Sequence, residues 1–164
     1  MKKPELLAPA GSFEKAKVAF MYGADAVYCG TASLSLRSRA EVDDNDLEKT
    51  IKYAHSIGKK VYAALNIYAW DTNYEEIEKQ VKMLDEVHVD AIIASDGGVI
   101  QKIREIAPNI EIHVSTQANV VSYHAAKFWY DNGAKRVILG RETSKDQIQE
   151  IMKNKPEDLE VEMF

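Results

Sequence analysis

The sequence predicts an α/β fold, because short apolar runs alternate with amphipathic stretches along its 164 residues. Seven apolar runs rich in Val, Ile, Leu or Ala predict strands that are buried on both faces, as in a parallel sheet. The runs are ELLA (5–8), AVYCG (26–30), VYAALN (61–66), AIIAS (91–95), IHVS (112–115), RVILG (136–140) and LEVEMF (159–164). We therefore expect six strand–helix units and a seventh strand, joined by right-handed crossovers.

The stretches between these runs predict helices that cover the sheet. In 74–87, Ile77, Val81 and Leu84 recur at i, i+4 and i+7, and Tyr74 extends the same face by one turn. Three Asn or Ser residues are followed by Glu or Gln three positions later, which is typical of a capping box at a helix start. These pairs are Asn45 with Glu48, Asn73 with Glu76, and Ser144 with Gln147. Left-handed glycines are expected at three helix ends, at Gly23, Gly58 and Gly133.

The number of units favours an incomplete TIM-type (β/α) barrel that forms one domain over 1–164. A complete barrel closes with eight strands, so the missing units are expected after Phe164. The alternative is an open parallel α/β sheet, which tolerates seven strands. Such sheets often carry a Gly-rich first turn for a nucleotide, whereas APAGSFEK (8–15) contains one glycine and no G-x-G-x-x-G motif. We therefore rank the open sheet second.

Composition excludes several classes of protein. A formal net charge of −5, from 21 basic and 26 acidic residues, argues against nucleic-acid binding through the overall field. The single cysteine, Cys29, excludes an internal disulfide framework and any multi-cysteine metal or cluster site built from these residues alone. The apolar runs are too short to cross a bilayer, and the first residues do not form a signal peptide. We expect a cytoplasmic protein with no membrane contact.

A ligand site is expected at the carboxyl ends of the strands, where both candidate folds bind their ligands. Neutral polar residues that end or follow the third and fifth runs are candidates for substrate binding, namely Asn66, Ser115, Gln117 and Asn119. Arg37 and Arg39 lie in the loop after the second run, and Arg141 follows the sixth. Guanidinium groups that converge on one mouth would bind a carboxylate or phosphate through paired hydrogen bonds. The alternative is that these arginines are solvated loop charges.

Three residues are candidates for catalysis, although each has an ordinary structural alternative. Cys29 ends a strand and could be a nucleophile, but free cysteines are commonly buried. Asp96 and Glu142 could form an acid–base pair across the mouth. His113 lies inside a strand and either faces the barrel interior or is a core histidine with satisfied hydrogen bonds. No zinc-protease or serine-hydrolase motif is present, and no metal ligand is assigned.

Several stretches in one order resemble the N-terminal region of the collagenase-like peptidase family (peptidase class U, family thirty-two). They are PELLAPAGSFEKAKVAFMYGADAVYCG (4–30), SLRSRA (35–40), HSIGKKVYAALN (55–66), HVSTQANVVSYHAAKFWYDNGAKRVILGRE (113–142) and LEVEMF (159–164). YGADAVYCG, GKKVY and QANVV look most like the branch of tRNA hydroxylation proteins. The resemblance covers essentially the whole chain.

The resemblance implies an activity that the residues alone do not. Beside peptidases, the family contains hydroxylases of a tRNA uridine, of a ribosomal cytidine and of a ubiquinone precursor. These hydroxylases carry an iron–sulfur cluster, and those acting on RNA depend on prephenate. The family's cysteine signature begins just after the strand matched by EVEMF (160–164), and Cys29 matches none of its ligands. The expectation is prephenate-dependent hydroxylation of tRNA uridine, with the cluster bound beyond residue 164.

Two other functions stay open at this point. One is a collagenase-like protease, as the family name suggests. The other is an inactive fragment or an assembly module that self-associates through an open sheet edge. Under the hydroxylase hypothesis, Arg37, Arg39 and Arg141, with Ser115 and the other neutral residues above, would bind a small dicarboxylate such as prephenate, because two carboxylates require two separated cationic groups.

Overall fold

A computed structural model of the protein describes residues 3–31 and 41–164. The strands are β1 (Leu7–Pro9), β2 (Ala26–Thr31), β3 (Glu41–Val42), β4 (Lys60–Ala64), β5 (Ala91–Ala94), β6 (Glu111–Val114), β7 (Arg136–Ile138) and β8 (Glu160–Glu162). The α-helices are α1 (Phe13–Met21), α2 (Asp44–Ser56), α3 (Tyr74–Glu86), α4 (Gly97–Ile106), α5 (Tyr123–Asp131) and α6 (Lys145–Asn154). Short 3₁₀ turns cover Asp71–Asn73 and Thr116–Ala118.

All strand pairs are parallel, and the main path of the sheet runs β1-β2-β4-β5-β6-β7-β8. Each strand thus lies beside the next in chain order, and a helix connects nearly every pair. The order does not reverse at a switch point, as it would in a doubly wound sheet. The predicted six strand–helix units and seventh strand of a partial barrel are confirmed. The two-residue β3, which pairs with β2, was not predicted because it is too short to show a periodic pattern.

The sheet is buried on both faces, which explains why its strands are continuously apolar. Neighbouring residues of one strand point to opposite faces, so Ile92 packs towards the helices and Ile93 towards the barrel interior. The helix-facing core is the larger of the two and includes Leu47 and Ile77. The interior core consists of Ala26, Tyr62, Ala64, Ala91, Ile93 and Ile138.

Of the three predicted capping boxes, one forms and two do not. Ser144 and Gln147 form the expected reciprocal capping box at the start of α6. Asn45, in contrast, lies inside α2, because the Asp43 carboxylate accepts the capping hydrogen bond at 2.8 Å. Asn73 occupies the N-cap position of α3 as predicted, but its side chain makes no capping hydrogen bond to this helix. Its side-chain oxygen instead accepts from the backbone N–H of Trp70 at 3.0 Å, within the preceding 3₁₀ turn.

Left-handed residues end several helices, as the sequence predicts. Gly23, Gly58 and Gly133 have φ angles of +100°, +68° and +88° after α1, α2 and α5. The corresponding residue after α3 is His88, with φ of 58°. The sequence does not predict this end, because a side chain other than glycine disfavours the left-handed conformation.

A buried ionic cluster joins the two edges of the sheet across the barrel interior. Arg136, the first residue of β7, points inwards, and its guanidinium lies 2.8 Å from Glu5, which precedes β1. The same group lies 2.6 Å from Glu160 and 3.4 Å from Glu162, both on β8. Because β1 and β8 are the edge strands, the Arg136–Glu5 contact requires a strongly curled sheet. We call these four residues the amino-end cluster.

Two aromatic rings lie beside the amino-end cluster. The Tyr62 hydroxyl donates to the Glu5 carboxylate at 2.9 Å, and the His113 ring packs against Tyr62 with centroids 4.6 Å apart. His113 is fully buried, and neither ring nitrogen has a hydrogen-bond partner within residues 3–31 and 41–164. The nearest carboxylate, from Glu111, is 3.6 Å away, beyond hydrogen-bonding distance. His113 is therefore a core histidine, as one of the two expectations had it, but its ring nitrogens are not satisfied by hydrogen bonds.

Candidate functional site

Three of the predicted binding residues meet at the carboxyl ends of β4 and β6. Asn66 is buried two residues beyond β4, and its side-chain amide donates a hydrogen bond to the Gln117 side-chain oxygen. The Ser115 hydroxyl, just after β6, lies 3.4 Å from the same oxygen. Ser115 is also buried and caps the 3₁₀ turn that carries Gln117. We call Asn66, Ser115 and Gln117 the mouth triad.

The sheet itself holds the mouth triad in place. Backbone hydrogen bonds continue the ladder past the strand ends, from Leu65 N to the Ile93 carbonyl and from Ser115 N to the Ala94 carbonyl, at 2.9 and 2.8 Å. The Thr116 hydroxyl donates to the Leu139 carbonyl beyond β7 at 3.2 Å. Four adjacent strand ends, those of β4, β5, β6 and β7, are thereby joined, so the polar groups are fixed before any ligand binds.

Beneath the mouth triad lies a small interior cavity with an apolar floor and a polar rim. Its lining residues are Tyr28, Ala64, Asn66, Ile93, Ser115, Thr116, Ile138, Glu162 and Phe164. Its volume of about 20 Å³ is enough for about one water molecule, so a larger ligand would have to lie above it, at the mouth. Glu162 was not predicted as a site residue, although the alternation in LEVEMF places it on the same face as Glu160. It connects the cavity to Arg136 of the amino-end cluster.

The other predicted binding residues lie outside the mouth triad. Asn119 is exposed and ends the 3₁₀ turn with φ of 55°. Arg141 is exposed, and its guanidinium carbon lies 4.7 Å from the centroid of the Phe164 ring, a cation–π contact. Arg37 and Arg39 lie outside the described residues. The convergence of the three arginines therefore stays a prediction.

None of the catalytic candidates occupies a reactive setting. Cys29 is fully buried in the helix-facing core, and burial raises the pKa of its thiol to about 12. It thus points away from the mouth, and the protonated thiol predominates, which argues against a nucleophile. One Asp96 oxygen accepts the backbone N–H groups of Gly98 and Val99 at 2.9 and 3.0 Å and so caps α4. Glu142 is exposed.

The described residues do not fit an iron–sulfur cluster. Cysteine thiolates are the usual cluster ligands, and the chain's single cysteine lies in the helix-facing core. Across the described ranges, no group of three or more His, Cys, Asp or Glu side chains is arranged to hold a metal ion. None of the helices in these ranges is both long and apolar enough to span a bilayer.

Two exposed aromatic residues beside the mouth were not predicted as site residues. Tyr68 and Trp70, in the loop after β4, are 74% and 72% exposed. The intervening Ala69 and the preceding Ile67 pack against the helix-facing core. The sequence YAALNIYAW (62–70) shows only a long apolar run, and its composition does not reveal which rings remain in solvent.

Comparison with known proteins gives consistent matches over the whole chain. The family model described as peptidase family U32 matches residues 11–164. The chain is 46% identical over 163 residues to tRNA hydroxylation protein P of Haemophilus influenzae, covering 99% of this chain and 35% of that protein. It is 43% identical over 164 residues to tRNA hydroxylation protein P1 of Bacillus subtilis, covering 99% of this chain and 38% of that protein.

A solved structure, that of the U32 peptidase Mk0906, has the same fold. Its TM-score is 0.78 at 12% sequence identity, covering 98% of this chain and 70% of that one. At this identity the likeness concerns the fold alone. The chain spans little more than a third of the length of the two curated relatives described above.

Proposed function

Because the chain belongs to peptidase family U32, we propose that it forms the N-terminal barrel region of an enzyme that hydroxylates a uridine in tRNA. The observation that carries this proposal is the 46% identity, over 99% of the chain, to a tRNA hydroxylation protein. The mouth triad at the carboxyl ends of the strands supports it, because this is where barrel enzymes bind their substrates. The proposed enzyme would act on tRNA in the cytoplasm.

Nucleoside analysis tests the proposal. Digested tRNA from a strain that lacks the gene should have lost a hydroxylated uridine, and a plasmid copy of the gene should restore it. Mass spectrometry of the nucleosides measures both. A plasmid copy with Cys29→Ala should restore it as well, because the thiol lies outside the mouth. An unchanged nucleoside profile in the deletion strain would contradict the proposed function.

We further propose that the mouth binds a small dicarboxylate such as prephenate as co-substrate. The mouth triad offers neutral hydrogen-bonding groups, and Arg141 at the rim offers a cation. Arg37 and Arg39 belong to the same proposal. An iron–sulfur cluster in the whole enzyme would need ligands other than the residues described, so no step of the reaction is assigned to this chain through a cluster.

Calorimetry with prephenate tests this pocket. Arg141 is exposed without ligand, so the ligand itself must cover the guanidinium. Removing the arginine from a buried arginine–carboxylate pair weakens binding by on the order of 2–5 kcal/mol. We therefore expect Arg141→Ala to raise Kd at least tenfold. Lys145→Ala, which removes another exposed cation after β7, is the control and should change Kd little. If Arg141→Ala raises Kd for prephenate less than tenfold, Arg141 does not bind the ligand and is a solvated loop charge.

The protease alternative receives no support from the geometry. Its candidate groups are Cys29, which is buried in the core, Asp96, which caps a helix, and Glu142, which is exposed. A nucleophile needs an adjacent base and access to substrate. Gelatin cleavage by the purified protein that is lost on substituting one of these residues would restore this alternative. Self-association through a sheet edge also stays a prediction, for which light scattering is the test.

A further inference from the structure

We propose that Tyr68 and Trp70 form a stacking platform for unpaired bases of the RNA substrate, at the rim of the barrel mouth. This inference rests on the proposed function and assigns part of its RNA contact to named side chains. The two residues follow Asn66 of the mouth triad in the same loop, so they lie at the carboxyl-end face of the sheet. Both rings are more than 70% exposed.

The backbone that carries the two rings is anchored at both ends. Asn66 is buried and donates its hydrogen bond to Gln117. At the other end, the backbone N–H of Trp70 donates to the Asn73 side chain at 3.0 Å, and the Asn73 N–H donates to the Trp70 carbonyl at 2.8 Å. Because the loop is already held in place, binding of RNA would cost little additional conformational entropy.

Alternating burial along the loop places both rings on one side. Ile67, where the chain bends, and Ala69 pack against the helix-facing core, while Tyr68 and Trp70 face solvent. Trp70 itself has an extended backbone, with φ of −88° and ψ of 156°. Side chains two residues apart on an extended segment are separated by about 6.6 Å. At this spacing each ring presents its own surface to solvent, so each can stack against a base.

Charge explains why stacking is the suitable contact here. The net charge of −5 gives the chain no general attraction for phosphates. Aromatic rings bind the face of any base without needing positive charge, and single-stranded RNA is commonly recognised in this way. Large exposed aromatic surface beside a functional mouth is otherwise unfavourable in water. An unpaired RNA base would cover this aromatic surface by stacking.

Binding measurements on the full-length protein test the platform. The probe is tRNA from the strain lacking the gene, and Kd is measured by filter binding at two salt concentrations. Trp70→Ala and Tyr68→Ala should each raise Kd about 5- to 150-fold, the range for loss of one stacked base. Trp70→Phe should keep most of the affinity. The slope of log Kd against log salt should not change, because no phosphate contact is removed.

The control is Tyr22→Ala, which removes an exposed ring (86%) at the opposite end of the barrel and should leave Kd unchanged. If the wild-type protein binds no tRNA, the RNA function itself fails and the platform with it. If it binds and both alanine variants stay within twofold of it, the platform is overturned while the RNA function stands. A changed mass in light scattering for these variants, with normal tRNA binding, would instead assign the rings to a protein contact and overturn the platform.

Discussion

Arg136→Ala should destabilise the folded protein by about 3–5 kcal/mol, the usual cost of removing one partner from a buried ion pair. The guanidinium is 8% exposed and contacts Glu5, Glu160 and Glu162. Removing it leaves these carboxylates close together with no compensating charge. Burial alone would raise the pKa of Glu5, but the hydrogen bond and charge of Arg136 hold it below its ordinary value. The same contact secures the curl of the sheet.

Urea unfolding at pH 7 measures this effect. The matched control is Lys127→Ala, which removes a surface pair with Asp131 whose side chains are about half exposed and 2.7 Å apart. Such a pair contributes less than ~1 kcal/mol. Arg136→Lys should fall between the two, because an ammonium group does not provide the planar fork that reaches several carboxylates. A loss below ~1 kcal/mol for Arg136→Ala would show that the amino-end cluster does not stabilise the barrel.

Stability should fall as the pH drops below about 6.5, because His113 is buried in its neutral form. Burial lowers the pKa of His113 from its ordinary 6.5; the nearby Glu111 opposes this effect and the Arg136 charge adds to it. Below 6.5 the unfolded chain takes up a proton that the folded protein does not. The free energy of unfolding should then decrease by up to about 1.4 kcal/mol per pH unit until the folded pKa is reached.

The titration of His113 can be distinguished from that of the nearby carboxylates, because the two occur at different pH. Tyr62 packs against the ring, Glu111 lies 3.6 Å away, and Arg136 and Glu160 act through their charges. The pKa of Glu111 is lowered, by its interaction with His113, from its ordinary 4.5. Its stabilisation is present above about 4.5 and is lost at lower pH, so the interval between 6.5 and 5 reports on the histidine.

A histidine substitution tests this assignment. His113→Leu should abolish the decrease between pH 6.5 and 5, and at pH 7 it should be no less stable than the wild type, because it removes two buried nitrogens without hydrogen-bond partners. His124→Gln, at an exposed position, should keep the wild-type pH dependence. Urea titrations at several pH values provide the data. An unaltered slope in His113→Leu would assign the acid sensitivity to other groups.

The seven main strands and the three residues of the mouth triad were predictable from the sequence, because both follow from local hydrophobic pattern and from one rule of sheet topology. Strands covered on both faces need apolar residues in succession, as at Ile92 and Ile93. The carboxyl ends of adjacent parallel strands meet at one edge, so residues just beyond them, such as Asn66 and Ser115, come together. The position of Arg141 just beyond β7, at the same edge, followed from the same rule.

Side-chain direction at strand ends, in contrast, was decided by the tertiary structure. Cys29 and Tyr28 are neighbours on β2, yet Cys29 lies in the helix-facing core and Tyr28 lines the interior cavity. A one-residue change of register exchanges these faces, and an apolar run does not specify the register. For the same reason the sequence does not show that Tyr68 and Trp70 face solvent while Ala69 is anchored.

By itself, the sequence determined the order and approximate positions of the seven main strands, the left-handed glycines at three helix ends and the edge at which the polar residues meet. Only the tertiary structure decided that Arg136 contacts Glu5, which lies 131 residues away along the chain. No periodicity relates two such residues, because their contact arises from the accumulated curvature of seven strands. The curl that creates the amino-end cluster also creates the enclosed interior beneath the mouth, so the site depends on a long-range property that no local pattern encodes.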